Sequence, residues 1–224
     1  PTPLPTFTPT ATLAAPPTLS PNVQTGPDLN QLFADAQNAL TLQDWDAAIS
    51  NLEYIVSADP NFQSAAVRAS LAQAMSKKAV LLMRSPDLGD MAEGIRLTDS
   101  ARQYGDTSEA DYEAYIASLY LDALSYVGIN YPRAIQSFTN LYNTAPNYRD
   151  VVQQLYLMYI SYGDAWANSG EFCPAAPLYQ AALVYFNDAS VSAKLTNAQT
   201  MCAQATPVGG LVPGATVAPI GVGS

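Results

Sequence analysis

Hydrophobic and polar positions in the central part of the chain follow a pattern that repeats. The segment from Asp44 to Phe62 aligns without a gap with the segment from Asn130 to Tyr148, at an offset of 86 residues. Each copy has an aromatic residue, an Ala-Ile pair three residues later, a bulky apolar residue four beyond the alanine, and a Pro-Asn-aromatic end. The offset suggests two units of about 43 residues, a period typical of helical repeats. The pattern therefore predicts stacked helical hairpins.

Weaker copies of the pattern fill the intervals between the two clear ones. The segment 89–95 places Gly94 where the clear copies have Ala48 and Ala134, and the segment 170–176 places Ala175 there. Four helical hairpins are thus predicted, with small residues where helices touch. The predicted repeat-packing residues are Ala48, Leu52, Pro60, Gly94, Ala134, Phe138, Pro146, Gly163, Ala175 and Tyr179.

This pattern resembles the tetratricopeptide repeat (TPR) family, whose unit is helix A, a tight turn and helix B, with small residues at the helix contact and a proline after helix B. The resemblance implies an all-α fold, a right-handed helical-hairpin solenoid of about four repeats plus a C-terminal capping helix. Helix A of the second unit, at about residues 63–84, is longer than in the family, and Asp106 and Asn187 stand where the terminal proline belongs. The last unit matches best, through Tyr159, Tyr162, Gly163, Trp166, Ala175, Tyr179 and Ala182.

Two low-complexity segments flank the predicted repeat domain, which covers residues 29–204. Residues 1–28 contain eight prolines, many threonines and one charge, so they are expected to form an extended stalk or docking tail. The threonine hydroxyls are candidates for O-glycosylation, and an unmodified linker fits the composition equally well. Residues 205–224 are uncharged and rich in Gly, Pro and Val, which predicts a second extended, non-helical tail. Candidate tail-docking residues are Leu4, Phe7, Leu211 and Val212.

The charge balance argues against nucleic acids and anionic membranes as partners. The net charge is −10, and the nine Lys and Arg residues all lie within the repeat domain without forming a cluster. Phosphates and anionic lipids would repel such a protein, so we expect no nucleic-acid partner. No run of about 20 apolar residues exists, so no transmembrane segment is predicted.

The two cysteines bear on the cellular location. Cys173 begins the last predicted B helix and Cys202 lies near the end of a capping helix that starts after Asp188, so antiparallel packing places them side by side. A disulfide there would close a loop of about 28 residues and stabilise the fold by about 3 kcal/mol. Two buried thiols are the alternative. The start at Pro1 without methionine fits a mature secreted product or a shortened chain. Together with the stalk, it favours the disulfide and an extracellular or bacterial cell-surface location.

The sequence offers little for catalysis. It contains no histidine, which is the commonest general base and zinc ligand, and two cysteines cannot form a four-thiolate zinc site. Glu109, Asp111 and Glu113 form an acidic cluster, but they follow Thr107 and Ser108 at a predicted helix start, where a hydroxyl can cap and carboxylates favour the helix dipole. We therefore predict no enzyme activity, no cofactor and no metal.

The remaining clue is the aromatic content of the predicted helices. Most of the 14 tyrosines are expected in the core, and some at interfaces, where the ring buries area and the hydroxyl finds a partner. At the positions that bind a terminal carboxylate in related grooves, this chain has apolar Phe33, Leu119 and Ile160, so that specificity does not carry over.

Two functions remain. The first is a self-assembling subunit of an extracellular filament whose partners are copies of itself, joined by the tails. The alternative is an adaptor tethered to the cell envelope that binds a partner peptide in its concave groove.

Overall fold

The computed structural model describes residues 26–205, which form nine α-helices and no strand. The all-α prediction is confirmed at this level. The candidate tail-docking residues Leu4, Phe7, Leu211 and Val212 lie outside the described residues. The helices are α1 (Leu29–Thr41), α2 (Trp45–Ala58), α3 (Ser64–Arg84), α4 (Leu88–Ala101), α5 (Ser108–Ser125), α6 (Tyr131–Thr144), α7 (Val151–Asn168), α8 (Phe172–Tyr185) and α9 (Ala189–Ala205).

Three of the helices begin at a constant interval of 43 residues. Asp44, Asp87 and Asn130 immediately precede α2, α4 and α6, and each side chain accepts a hydrogen bond from a backbone N–H in the first turn. The N–H groups of Ala47 and Arg133 both donate at 3.1 Å. Such caps satisfy donors that have no partner inside the helix, which is why Asp and Asn begin helices so often. The fourth helix of the series, α8, begins without a side-chain cap.

The same four helices bury equivalent positions. Counted from the first residue, the fourth and the eleventh residues of α2, α4, α6 and α8 are fully buried. The fourth residues are Ala48, Met91, Ala134 and Ala175, and the eleventh are Ile55, Thr98, Leu141 and Ala182. The predicted alignment of Gly94 with Ala48 is therefore wrong by three positions. The alignment assumes that this position holds a small residue. In α4 the unbranched side chain of Met91 fills it instead.

Gly94 nevertheless marks a close contact between helices. A Cβ on Gly94 would lie 2.6 Å from Cγ of Met83 and 2.7 Å from the carbonyl oxygen of Ala79, both on α3. Gly163 on α7 is equally confined, by the ring of Tyr179 on α8. Both glycines thus allow neighbouring helices to approach more closely than any side chain would permit.

The other predicted packing residues divide into two groups. Leu52 and Phe138, the eighth residues of α2 and α6, are fully buried, as is nearly all of Tyr179 at the same position of α8. Pro60 and Pro146 are exposed. They follow the last residues of α2 and α6, where a proline stops the helix rather than packs in the core.

The helices pack in chain order. Each helix packs against the next, and α3 in addition packs against α1 and α5. The largest hydrophobic cluster draws on α3 to α7, and smaller clusters lie toward the α1 and α9 ends. With 21 residues, α3 is the longest of the described helices, as predicted, and it contacts four others. It therefore joins the N-terminal hairpin to the centre of the protein.

Candidate interaction surfaces

The predicted groove residues belong to three different parts of the core. Phe33 on α1, Leu119 on α5 and Ile160 on α7 are each half-buried, and each packs against a different hydrophobic cluster. They do not share a hydrophobic cluster.

Two clefts are present elsewhere on the described surface. One, of about 450 Å³, lies between α3 and the segment that leads into α5, with Arg68, Lys77 and Tyr104 in its walls. The other, of about 490 Å³, lies between the end of α3, α5 and the α6–α7 segment, with Tyr112 and Tyr148 in its walls. Both are open to solvent and have charged and aromatic side chains in their walls.

The acidic cluster on α5 is used for ion pairs between helices. Glu109 contacts Lys77 of α3 at 2.6 Å, and Asp111 contacts Arg102 at 2.9 Å, just beyond α4. Glu113 pairs with Arg84 at the end of α3. The three carboxylates thus hold α5 against its neighbours, and in residues 26–205 no group of three acidic or cysteine side chains is placed to bind a metal ion.

The start of α5 is stabilised differently from the prediction. Neither Thr107 nor Ser108 caps the helix through its hydroxyl. Instead, the carboxylate of Asp106 accepts a hydrogen bond of 2.9 Å from the backbone N–H of Ser108, and this bond lowers the pKa of Asp106. The Thr107 hydroxyl donates to Asp111 at 2.9 Å. A carboxylate one residue before Thr107 therefore binds the first N–H of α5, while the Thr107 hydroxyl bonds to Asp111 instead.

All nine basic residues lie in the described part of the chain, and each has an internal partner. Those that form salt bridges with acidic residues are Lys77, Lys78, Arg84, Arg96, Arg102 and Lys194. Those whose guanidinium lies over a tyrosine ring are Arg68, Arg133 and Arg149. The acidic residues outnumber them, so the charged surface is predominantly negative.

Arg149 connects distant parts of the chain. Its guanidinium donates to the carbonyl of Met83 at 2.9 Å and to that of Ser85, at the C-terminal end of α3. The same group lies 5.5 Å from the centre of the Tyr120 ring. The Tyr120 hydroxyl in turn donates to Asp150 at 2.7 Å, and burial, followed by this bond, raises the pKa of Tyr120. These contacts join α3, α5 and the start of α7.

The predicted disulfide between Cys173 and Cys202 is present. Their Cα atoms are 4.8 Å apart, and the two residues are separated by 29 positions in the sequence. The bond fixes the end of α9 beside the start of α8. As predicted, one helix, α8, begins beside Cys173, and another, α9, begins just after Asp188 and contains Cys202 near its end.

Tyrosine hydroxyls and carboxylates connect the three C-terminal helices. Asp188, just before α9, accepts a bond of 2.6 Å from the Tyr156 hydroxyl of α7 and further bonds from Ser190. The Tyr156 bond, followed by those from Ser190, lowers the pKa of Asp188 to about 2. Asp164 of α7 likewise accepts hydrogen bonds from the Tyr179 hydroxyl of α8 and from the Lys194 ammonium of α9.

The outer face of α8 is apolar, although it is not part of the core. Only Ala175, Tyr179 and Ala182 of this helix are buried. On its other side a stripe runs with helical spacing, and it comprises Pro174, Pro177, Leu178, Ala181 and Val184. We call it the α8 stripe. Val184 is 73% exposed, and Leu178, Ala181 and Val184 belong to none of the hydrophobic clusters of the described residues. A helix that is apolar on both sides normally has partners on both sides.

Sequence reasoning missed the α8 stripe and the cap at Asp87. The signals were present in both cases. Asp87 lies midway between Asp44 and Asn130, and α8 contains no charged residue. The ion pairs of α5 left no such signal, because their partners lie outside α5 at spacings that only the tertiary structure defines.

Comparison of the sequence with protein-family models and with curated proteins finds no match. Within residues 26–205, no helix combines the length and the apolar character that spanning a bilayer requires.

Proposed function

We propose that this chain is a non-enzymatic, secreted or cell-surface subunit of a self-assembling filament. Its scaffold is a TPR-type, right-handed solenoid of four helical hairpins with α9 as a capping helix. The tails at residues 1–28 and 205–224 dock onto neighbouring copies.

The observation that carries this proposal is the distribution of charge. No residue before Asp28 is charged, and from Phe172 to the C-terminus the only charged residues are Asp188 and Lys194. The net charge of −10 therefore resides on residues 28–171. Copies of so acidic a protein repel one another, and contacts through uncharged ends minimise that repulsion. The terminal helices α1 and α9 carry one charged residue each, Asp35 and Lys194.

The regular register of the helices supports a repeat scaffold. Caps at a 43-residue interval and equivalent buried positions in α2, α4, α6 and α8 are the properties of a stack of similar units. In such a stack the end is a surface to which another copy can be added, and it forms an open fibre if the rotation does not close.

The disulfide supports the location. Bonds such as Cys173–Cys202 form and persist in oxidising compartments, which include the bacterial periplasm and the cell surface.

Electron microscopy of the purified full-length protein tests the proposal. Fibres are expected from the full chain, and variants that lack residues 1–24 or 207–224 should assemble weakly or not at all. Circular dichroism is the control, because the helices lie outside both deleted segments and their signal should persist. Full-length protein that remains as single particles at high concentration contradicts the filament; truncated variants that polymerise normally contradict tail docking.

One observation favours an envelope-tethered adaptor as a second candidate. The cleft of about 490 Å³ has Tyr112, which is 56% exposed, beside Glu113 and Arg84. Exposed tyrosine flanked by charges is typical of surfaces that bind peptides. An adaptor should be monomeric, and its Tyr112→Ala variant should lose the partner peptide; the filament subunit should keep assembling when Tyr112 is replaced.

A further inference from the structure

We propose that the α8 stripe is the docking site for residues 206–224 of a neighbouring copy. This inference deepens the proposed self-assembly and rests on it. At 100° per residue, the five positions of the stripe cover about 120° of the helix surface. The opposite side of α8 packs in the core. An exposed apolar surface of this kind, on a protein whose net charge is −10, marks an interaction site.

The composition of the segment suits this surface. Residues 206–224 contain no charged residue, and they include Leu211, Val212, Val217, Ile220 and Val222. α8 contains no charged residue either. Contact between the two therefore buries apolar area on both sides without removing a charge from water.

The length of the segment is also sufficient. The 14 residues of α8 extend about 20 Å, at a rise of about 1.5 Å per residue. An extended chain covers the same distance with about six or seven residues. Nineteen residues follow Ala205, so the segment can leave its own subunit and still cover the stripe of another.

The disulfide places the donor and acceptor at the same end of the molecule. Cys202 is bonded to Cys173 at the start of α8, and the segment leaves α9 shortly afterwards, at Ala205. A copy can therefore insert its segment along the stripe of the next copy while its own stripe receives the segment of the previous one, so that the contact repeats head to tail along a fibre.

Cysteine trapping between two full-length variants tests the site. One variant carries Leu211→Cys and the other Val184→Cys, so a bond between the introduced cysteines can form only between chains. After mixing and mild oxidation, peptide mass mapping should show residue 211 joined to residue 184, with Cys173–Cys202 intact. The matched control is Ile129→Cys, which is 81% exposed in the α5–α6 turn and remote from α8 in the sequence. Trapping at position 184 that does not exceed trapping at position 129 overturns the proposal.

A second variant addresses fibre formation directly. Val184→Asp places a charge on the stripe but should preserve the helical circular-dichroism signal, because Val184 is exposed. The concentration needed for fibres should rise by about ten-fold or more, which corresponds to about 1.4 kcal/mol, whereas Ile129→Asp should leave it unchanged. Fibres that form as readily with Val184→Asp contradict docking on the stripe while leaving the filament intact. Wild-type protein that never forms fibres contradicts the proposed function itself.

Discussion

Gly163 of α7 lies against the ring of Tyr179 of α8 with no space for a methyl group between them. A Cβ on Gly163 would be 2.7 Å from Cε1 of Tyr179. The ring cannot easily move, because its hydroxyl donates to Asp164 at 2.8 Å and the Lys194 ammonium lies 5.9 Å from its centre. Gly163 is thus a point of close approach between α7 and α8.

Gly163→Ala should destabilise the protein. In an exposed helix the change would stabilise by up to about 1 kcal/mol. Here we expect the free energy of unfolding to fall by about 1–3 kcal/mol, because the methyl group overpacks the contact. Urea denaturation measures the change. In a Tyr179→Leu background the same substitution should cost clearly less; an equal cost in both backgrounds would show that the ring is not the cause.

Ala48→Leu and Ala134→Leu test whether the two clear repeat units are equivalent. Both alanines are fully buried at the fourth position of their helices, so leucine should lower the free energy of unfolding by about 1–3 kcal/mol in each case. Ser50→Leu and Gln136→Leu are matched controls, since these exposed residues are also equivalent across the two units. Thermal unfolding should show large shifts for the alanine variants and small ones for the controls. Unchanged melting temperatures of both alanine variants are incompatible with the repeat alignment.

Reduction of the Cys173–Cys202 bond should loosen α9. The bond restricts a loop defined by a separation of 29 residues, and releasing it should lower the free energy of unfolding by about 3 kcal/mol in the chain-entropy model. Hydrogen exchange should accelerate in α9 of a Cys202→Ser variant, while α5 and α6 keep their protection. Mass spectrometry of non-reduced peptides should first show the bond in native protein; two free thiols after purification under oxidising conditions would refute it.

Asp188 should make stability depend on acid pH. Its folded pKa of about 2 lies below the usual value of about 4, so its hydrogen bonds stabilise the fold fully above about pH 4, and this contribution is lost as the pH falls through about 2. Asp188→Asn should therefore lower the melting temperature at pH 6, and the difference from wild type should shrink by pH 2. Tyr156→Phe should raise the pKa of Asp188, observable by carboxyl NMR titration, because it removes the main cause of the shift. A wild-type pKa near 4 would contradict the hydrogen bond between these residues.

The sequence predicted features that depend on local pattern and missed those that depend on tertiary register. The period of about 43 residues, the unusually long α3 and the pairing of Cys173 with Cys202 could all be inferred from spacing along the chain. The position equivalent to Ala48 in α4 could not be inferred from residue size, because Met91 fills it and a different residue, Gly94, makes the close contact with α3.

The candidate interaction surfaces, too, depend on tertiary packing that the sequence pattern does not define. The repeat pattern assigns equivalent positions to Phe33 and Ile160, but which hydrophobic cluster each side chain packs against depends on the tertiary structure. The repeat pattern placed Ala175 and Tyr179 on the packing side of α8, where both are buried, but it did not predict that the other side of the helix is also apolar and stays exposed. Burial of Ala175 and exposure of Val184 distinguish the two sides.

Arg149 gives the middle of the protein a mechanical property that simple repeat stacks lack. Where units touch only their neighbours, tension applied to the two ends can detach them one after another. Here the guanidinium, located between α6 and α7, is bonded to carbonyls at the end of α3, and α5 lies between them in the chain. Stretching the subunit should therefore extend α1–α2 first, while α3 to α7 resist as one block whose rupture force falls when Arg149 is replaced.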